Sequence, residues 1–185
     1  MKMTIWTIGH STHPIEEFIA MLLEYKIKLL ADVRTVPRSR KNPQFNLDVL
    51  PGQLAAFDIE YAHLKELGGL RHTSKDSVNT AWRNRSFRGY ADYMQTPEFR
   101  AAVEGLIELG KRHRTAIMCA EAVPWRCHRS LIGDALLIRG IEVLDIFSII
   151  EARPHSLTSF AKVEGTAITY PGDAEQKNLF PIPEI

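Results

Sequence analysis

Residues 1–33 predict a pair of parallel strands, and this constrains the fold more than any other feature of the sequence. Residues 4–8 are β-branched and aromatic, as in a buried strand, and residues 28–33 form a second apolar run. Between them, apolar residues from Ile15 onward recur with the i, i+3, i+4, i+7 spacing of an amphipathic helix. A strand–helix–strand unit of about 30 residues joins parallel strands, because antiparallel strands need only a short turn.

The rest of the chain repeats this alternation. Further strands are predicted at residues 59–62, 114–119 and 141–147, and helices at residues 51–57, from Thr96 onward and at residues 127–139. A long loop is predicted over residues 35–52, and residues 71–89 are polar and basic. A chain of 185 residues is the size of one domain. We expect a single α/β domain over residues 1–165, with a largely parallel central sheet of four or five strands flanked by helices, and a C-terminal tail over residues 166–185.

The composition excludes several classes of protein. Hydrophobic residues make up 45% and charged residues 24% of the chain, which is typical of globular domains and not of disordered, collagen-like or coiled-coil chains. The most apolar stretch, residues 131–150, is interrupted by four charged side chains, which argues against a membrane span. The N-terminus lacks the pattern of a secretory signal. We therefore expect a cytoplasmic protein with no membrane partner, whose two cysteines are reduced thiols.

The charges are unevenly distributed and indicate an anionic ligand. Residues 34–100 carry eleven Lys and Arg against seven Asp and Glu, whereas residues 141–185 carry three against seven. Most of the basic residues are arginines, which bind phosphate and carboxylate in a bidentate manner. Arginines also alternate with aromatic residues over residues 82–93, a pattern that suits base stacking. A non-catalytic nucleic-acid-binding module that uses residues 34–100 is therefore one alternative. A loop that packs Trp82 and Phe87 into the core explains the same pattern.

Polar residues collect where the predicted strands end. Ligands of parallel α/β sheets bind beyond the carboxyl ends of the strands. The residues at or just after these ends are His10, Ser11, Asp32, Arg34, Arg38, His63, Cys119 and Glu121. If the strands are parallel, these side chains lie on one edge of the sheet and converge.

Residues 119–129 are the densest polar segment, and three readings compete for it. Cys119 or Cys127 is a nucleophilic thiolate, activated by nearby cations or a helix N-terminus, although a Cys-x5-Arg anion loop would need arginine where this chain has Trp125. The second reading is a zinc or iron site with the candidate ligands Cys119, Glu121, Cys127 and His128. In the third, the two cysteines pack as small hydrophobic residues and the charged residues pair with one another.

These residues together resemble the DUF488 family. The matching motifs are Thr7-Ile-Gly-His-Ser11, Asp32-Val-Arg34, Pro37-x-Ser39, His63-Leu64 with Leu67-Gly-Gly69, Phe87-x-Gly-Tyr-Ala-Asp-Tyr93, and Met118-Cys-Ala-Glu121 with Cys127-His-Arg129. Further matches lie near His155 and Tyr170-Pro171. The resemblance implies a single α/β domain and identifies the Cys-Ala-Glu…Cys-His-Arg segment as the family signature, but it implies no activity. One departure is Asp145, at a position where the family pattern often has a histidine.

The leading hypothesis is an enzyme that acts on an anionic substrate, nucleotide-like or nucleic acid, at the carboxyl edge of the sheet. Cys119 or Glu121 is the expected nucleophile or general base, and His10 or His128 transfers protons. The expected substrate-binding residues are Ser11, Asp32, Arg34, Arg38, Tyr90, Arg126 and Arg129. A metal-dependent hydrolase is the other alternative, and no cofactor is clearly implied.

Overall fold

The computed structural model describes residues 3–172 of the chain, and these residues form helices on both sides of a central sheet. The strands are β1 (Thr4–Gly9), β2 (Leu29–Asp32), β3 (Glu60–His63), β4 (Thr115–Cys119), β5 (Glu142–Ser148), β6 (Glu151–Pro154), β7 (Lys162–Glu164) and β8 (Ala167–Thr169). The helices are α1 (Ile15–Glu24), α2 (Leu50–Ala55), α3 (Arg85–Tyr93), α4 (Pro97–Arg112) and α5 (Arg129–Leu137). Short 3-10 turns lie at Pro43–Phe45, Lys65–Leu67 and Pro124–Arg126.

The central sheet has the strand order β3-β2-β4-β1-β5-β6. All neighbouring strands are parallel except β5 and β6, which pair antiparallel. The predicted α/β class with a largely parallel sheet is therefore confirmed. The sheet has six strands because residues 151–154 turn back after β5 and add an edge strand, which the sequence prediction did not include.

Two apolar layers hold the helices against the sheet. On one face, Phe18 and Leu22 of α1 and Leu54 of α2 pack against the sheet residue Ile8. The residues of α3, α4 and α5 form the layer on the other face, which includes the fully buried Tyr90. Burial of apolar surface of this kind is the main contribution to folding free energy. Both layers leave the carboxyl ends of β1, β2 and β4 on the same edge, since the three strands are parallel neighbours.

Helix α5 begins two residues later than predicted, and this places a cysteine outside the helix. Cys127 has extended backbone angles, φ −138° and ψ 146°, and His128 is the residue that precedes the helix. The backbone N–H of Arg129 donates to Sγ of Cys127 at 3.4 Å, so the thiol takes one of the unpaired amide groups of the first helical turn.

Residues of the predicted C-terminal tail take part in the fold as far as residue 172. Strands β7 and β8 form a hairpin, and Tyr170 after β8 is fully buried. The remaining residues of that tail, 173–185, lie outside the described residues. Over residues 3–172, no helix combines the length and the apolar character that a membrane crossing requires.

Candidate functional site

The carboxyl ends of β1, β2 and β4 bring together the residues that the sequence predicted to converge. The backbone N–H of His10 donates to the carbonyl of Cys119 at 3.0 Å, and the guanidinium Nη1 of Arg34 lies 3.2 Å from Nε2 of His10. A cleft of about 420 Å³ opens at this edge, with Cys119, Glu121 and Arg126 among its lining residues. His10, Arg34, Cys119 and Glu121 therefore lie together on one edge of the sheet, as expected.

Two thiols and one imidazole form the centre of this cleft. Cys119 is the last residue of β4, and Cys127 and His128 connect the turn at Pro124–Arg126 to α5. Nδ1 of His128 lies 3.9 Å from Sγ of Cys119 and 3.6 Å from Sγ of Cys127. Both cysteines are buried and free. The chain therefore presents one ring nitrogen to two thiols at once.

The other nitrogen of His128 determines what the first can do. Nε2 lies 3.0 Å from the carbonyl oxygen of Val33, which only accepts, so Nε2 carries the proton. In the neutral ring, Nδ1 then keeps its lone pair and faces the sulfur atoms. The ring of the buried Tyr90 packs against the His128 ring, with 4.9 Å between the ring centroids. The hydroxyl of Tyr90 donates to the carbonyl of Leu67. His128 is thus oriented to accept a thiol proton.

The two thiols differ in how readily they lose a proton. A hydrogen bond from Cys127, together with hydrogen bonding to His128 and the charge of Arg129, lowers the pKa of Cys119 against the effect of burial. The same hydrogen bond to Cys119, together with burial, raises the pKa of Cys127. A thiolate in such a pair makes the second proton harder to remove. Of the two thiols, Cys119 is therefore the one that loses its proton more readily.

Arg129 supplies a buried positive charge beside the thiols. Its side chain is 1% exposed, and Nη2 lies 3.3 Å from the carbonyl oxygens of Glu121 and Ala122. Among residues 3–172, its Nε and Nη1 groups have no hydrogen-bond partner. A buried cation with unpaired donors favours a negative charge nearby. Arg129 thus stabilises the thiolate form of the pair.

The His128 ring packs directly against Gly69, where a larger side chain would collide with it. A Cβ at residue 69 would lie 2.4 Å from Nδ1 of His128. We expect Gly69→Ala to displace the ring and to slow alkylation of Cys119 by iodoacetamide at pH 7 about tenfold, the size of a 1.4 kcal/mol effect. Gly105→Ala is the matched control, since nothing lies within 4 Å of its added Cβ. Equal labelling rates in the two variants would contradict the assigned role of His128.

His10 is held neutral and both of its ring nitrogens are occupied. Nδ1 donates to the carbonyl of Ser11 at 3.0 Å, and Nε2 faces Nη1 of Arg34. Burial and the charge of Arg34 lower the pKa of His10 to about 4. The ring also stacks on Phe45 with 4.3 Å between the ring centroids. His128, and not His10, is therefore the histidine that faces a reactive group.

Asp32 and Arg34 form a buried ion pair. The buried carboxylate of Asp32 accepts from Nε and Nη2 of Arg34 and from the hydroxyl of Tyr61. Nη2 of Arg34 also donates to the carbonyl of Phe45 at 2.7 Å. Arg34 lines the cleft, and the buried Asp32 holds its guanidinium in place.

A second cleft of about 360 Å³ adjoins the first, and Glu121 lines both. Ser11 and Arg38 line this second cleft, and Arg126 lines the first. Ser11 has a φ of 46°, which is unusual for a residue other than glycine, and its N–H donates to the carbonyl of Ala120. The exposed Arg38 and Arg126 are the cations that a ligand can reach without breaking an internal ion pair.

The donor atoms of Cys119, Cys127 and His128 all lie within 4.8 Å of one another. Two thiolates and one imidazole are typical zinc ligands, and three protein ligands leave a position for water. The Nε2–H bond to the carbonyl of Val33 is also the contact that orients a metal-bound histidine. Glu121 is not part of this group of three. The three residues therefore fit a metal ion as well as a thiol site.

The aromatic residues of the basic segment pack mainly against one another. Trp82 stacks on Phe87 with 4.8 Å between the ring centroids and contacts Phe160 and Tyr170 edge to face. Nε of Arg88 donates to the carbonyl of Trp82. These contacts favour the interpretation of the segment as a packed loop over that of an open stacking surface.

Sequence reasoning missed a buried charge network next to the site. His155 lies between two carboxylates, with Nδ1 2.8 Å from Asp145 and Nε2 3.4 Å from Asp134. Burial opposes the charge on His155, but hydrogen bonds to Asp134 and Asp145 outweigh it and raise the pKa to about 9. Asp134 also accepts from the hydroxyl of Tyr170 at 2.8 Å. The sequence feature that could have revealed this network is the presence of two carboxylates, Asp134 and Asp145, inside otherwise apolar segments.

A comparison with protein families supports the resemblance noted in the sequence. The model of a domain of unknown function, DUF488, matches residues 14–136, which is more than half of the chain. The chain belongs to this family. Neither the curated proteins nor the solved structures gave a match.

Proposed function

We propose that this DUF488 protein is a thiol-dependent enzyme that acts on an anionic substrate, with Cys119 as the nucleophile and His128 as its base. The observation that carries the proposal is the orientation of His128. Its Nε2 proton is bound to the carbonyl of Val33, so Nδ1 faces Sγ of Cys119 at 3.9 Å. A thiol with an oriented base and a nearby buried cation is an activated nucleophile.

The reaction proceeds by covalent catalysis. Sγ of Cys119 gives its proton to Nδ1 of His128 and attacks an electrophilic centre of the substrate. As the bond to sulfur forms, the bond to the leaving group breaks, and the leaving group takes the proton from Nδ1. Water then attacks the sulfur-bound intermediate and gives a proton to His128. The bond to sulfur breaks, and the acid product and the thiol are released.

Two exposed arginines select an anionic substrate. Arg126 lines the cleft that contains the thiols, and Arg38 lines the adjoining cleft. Arginine binds phosphate and carboxylate oxygens through two parallel hydrogen bonds. Glu121 lines both clefts and is the second group that can take a proton from water during hydrolysis of the intermediate.

The second candidate function is a metal-dependent hydrolase at the same residues. The mutual distance of at most 4.8 Å among the donors of Cys119, Cys127 and His128 favours it. A bound zinc ion would supply a hydroxide near neutral pH as the nucleophile. In this case the cysteines hold the metal and do not react with the substrate.

Alkylation of each cysteine, followed by mass spectrometry between pH 5 and 9 with and without a strong chelator, separates the two functions. The thiol enzyme predicts that Cys119 is labelled by iodoacetamide well below the reference thiol pKa of about 8.5, with or without chelator. His128→Asn removes the base and is expected to slow labelling at pH 7 at least tenfold. The substitution Arg100→Lys on the exposed side of α4 is the control.

The other outcomes are equally specific. Labelling that requires the chelator would replace the thiol mechanism by the metal site, and metal analysis of protein purified without a nickel column would then identify the ion. Thiols that stay inert at every pH until the protein unfolds would contradict both functions, because the cysteines would then serve only as packing residues.

A further inference from the structure

The segment 124–130 lines a separate cavity of about 380 Å³ as well as the thiol cleft, and this cavity is not used by the proposed reaction. Pro124, Trp125 and Ser130 are the residues of this segment that line the cavity. Asp145 and Phe147 of β5 and His155 after β6 also line it. The volume lies within the range of small-molecule sites, about 300–1,000 Å³.

Two tryptophans and one phenylalanine are among the residues that line this cavity. Trp125 is 63% exposed, although exposed tryptophan is uncommon, and its ring lies 6.0 Å from that of Phe147. The guanidinium of Arg153 lies 5.3 Å from the Phe147 ring, over its face. Trp82 also lines the cavity. Aromatic faces and a guanidinium plane are the surfaces on which flat rings stack.

The cavity also carries hydrogen-bonding groups for the edge of a ring. The carboxylate of Asp145 accepts from Thr7 at 2.5 Å and from His155 at 2.8 Å, which leaves acceptor positions on both oxygens. A hydrogen-bond acceptor therefore accompanies the aromatic rings of the cavity. A plain hydrocarbon ring offers no donor to it.

We propose that this cavity binds the heteroaromatic ring of a nucleotide-like substrate, while the phosphate of the same molecule lies on the Arg126 side of the segment. Trp125 and Arg126 are consecutive residues, with Cα atoms about 3.8 Å apart, and they line the two neighbouring cavities. The binding of a ring is inferred from the cavity alone. The placement of the phosphate of the same molecule near Arg126 rests on the proposed function, in which the substrate is anionic.

Isothermal titration calorimetry with the four common nucleoside 5′-monophosphates tests this site. Ribose 5-phosphate and phenyl phosphate are the reference probes, because the first lacks a ring system and the second lacks the hydrogen-bonding edge. At least one nucleotide is expected to bind at least tenfold more tightly than both references. Trp125→Ala is expected to weaken that nucleotide about tenfold, in line with base stacking on an exposed aromatic residue. Phe57→Ala removes a similarly exposed ring from the surface beside α2 and should leave binding unchanged.

Two further variants separate the binding of the nucleotide ring from the reaction of the thiol. Phe147→Leu is a second change to the cavity wall and should also weaken nucleotide binding. Cys119→Ser should retain nucleotide binding, so a loss of the thiol mechanism and a loss of the ring site are observed separately. The ring site is refuted if no nucleotide binds at millimolar concentration, if phenyl phosphate binds as tightly as every nucleotide, or if Trp125→Ala binds like the unmodified protein.

Discussion

Asp32→Ala is expected to lower the free energy of unfolding by about 3–5 kcal/mol, the cost of leaving one buried charge without its partner. Asp32 is 0% exposed and holds Arg34 through hydrogen bonds to its backbone N–H, Nε and Nη2. Arg34 is itself only 6% exposed, so most of its guanidinium would lose its partner without becoming hydrated. For a domain of this size, the loss corresponds to a fall in melting temperature of roughly 6–20 °C.

Urea unfolding followed by circular dichroism measures this effect. Asp48→Ala is the control, because Asp48 is exposed and its removal is expected to change stability by less than about 0.5 kcal/mol. Asp32→Ala combined with Arg34→Met should be more stable than Asp32→Ala alone, since neither charge is then left unpaired. A cost below about 1 kcal/mol for Asp32→Ala, or a double variant that loses the sum of both single effects, would contradict the buried pair.

The contribution of His155 to the free energy of unfolding is expected to fall between about pH 6.5 and pH 9. The folded state raises the pKa of His155 from 6.5 to about 9 through its bonds to Asp134 and Asp145. Below pH 6.5 the ring is protonated in both states, and the full contribution is present. As the pH rises toward 9, the unfolded chain loses this proton first, and the contribution disappears. One pKa unit corresponds to about 1.4 kcal/mol, so the total change is about 3 kcal/mol.

The test compares the pH dependence of unfolding in the protein and in His155→Gln. The variant should be about 3 kcal/mol less stable near pH 6, and the difference should shrink toward pH 9. His72→Gln replaces an exposed histidine outside the network and should leave the profile unchanged. A His155→Gln profile that runs parallel to that of the unmodified protein over this range would show that the pKa of His155 is the same in the folded and unfolded states, which contradicts the raised pKa.

The strand–helix–strand pattern of residues 4–33 was sufficient to predict the parallel sheet, and with it the edge where His10, Arg34 and Cys119 meet. Both inferences depend on local patterns. The period of apolar residues identifies a strand or a helix, and a parallel arrangement then places the strand ends together. The sequence also identified residues 119–129 as the densest polar segment, and the structure brings the donor atoms of its Cys119, Cys127 and His128 within 4.8 Å of one another.

The partner of each polar side chain could not be predicted in the same way. From the sequence alone, Arg34 could bind substrate or pair with Asp32, and in the structure its guanidinium binds Asp32. Tyr90 was expected to bind substrate, and it lies buried behind His128. Burial and the distance between side chains from different elements decide such partnerships, and residue type alone does not distinguish a buried ion pair from an open anion site.

The sequence by itself determined the class of fold and the edge of the sheet that carries the polar residues. Only the tertiary structure decided that His128 directs Nδ1 at the thiols, because the carbonyl of Val33, far away in the chain, holds the proton on Nε2. It likewise decided that Asp145, His155 and Trp125 line one cavity. Hydrophobic periodicity is a local property that a sequence displays directly, whereas the protonation and orientation of a side chain depend on neighbours that only the folded chain brings together.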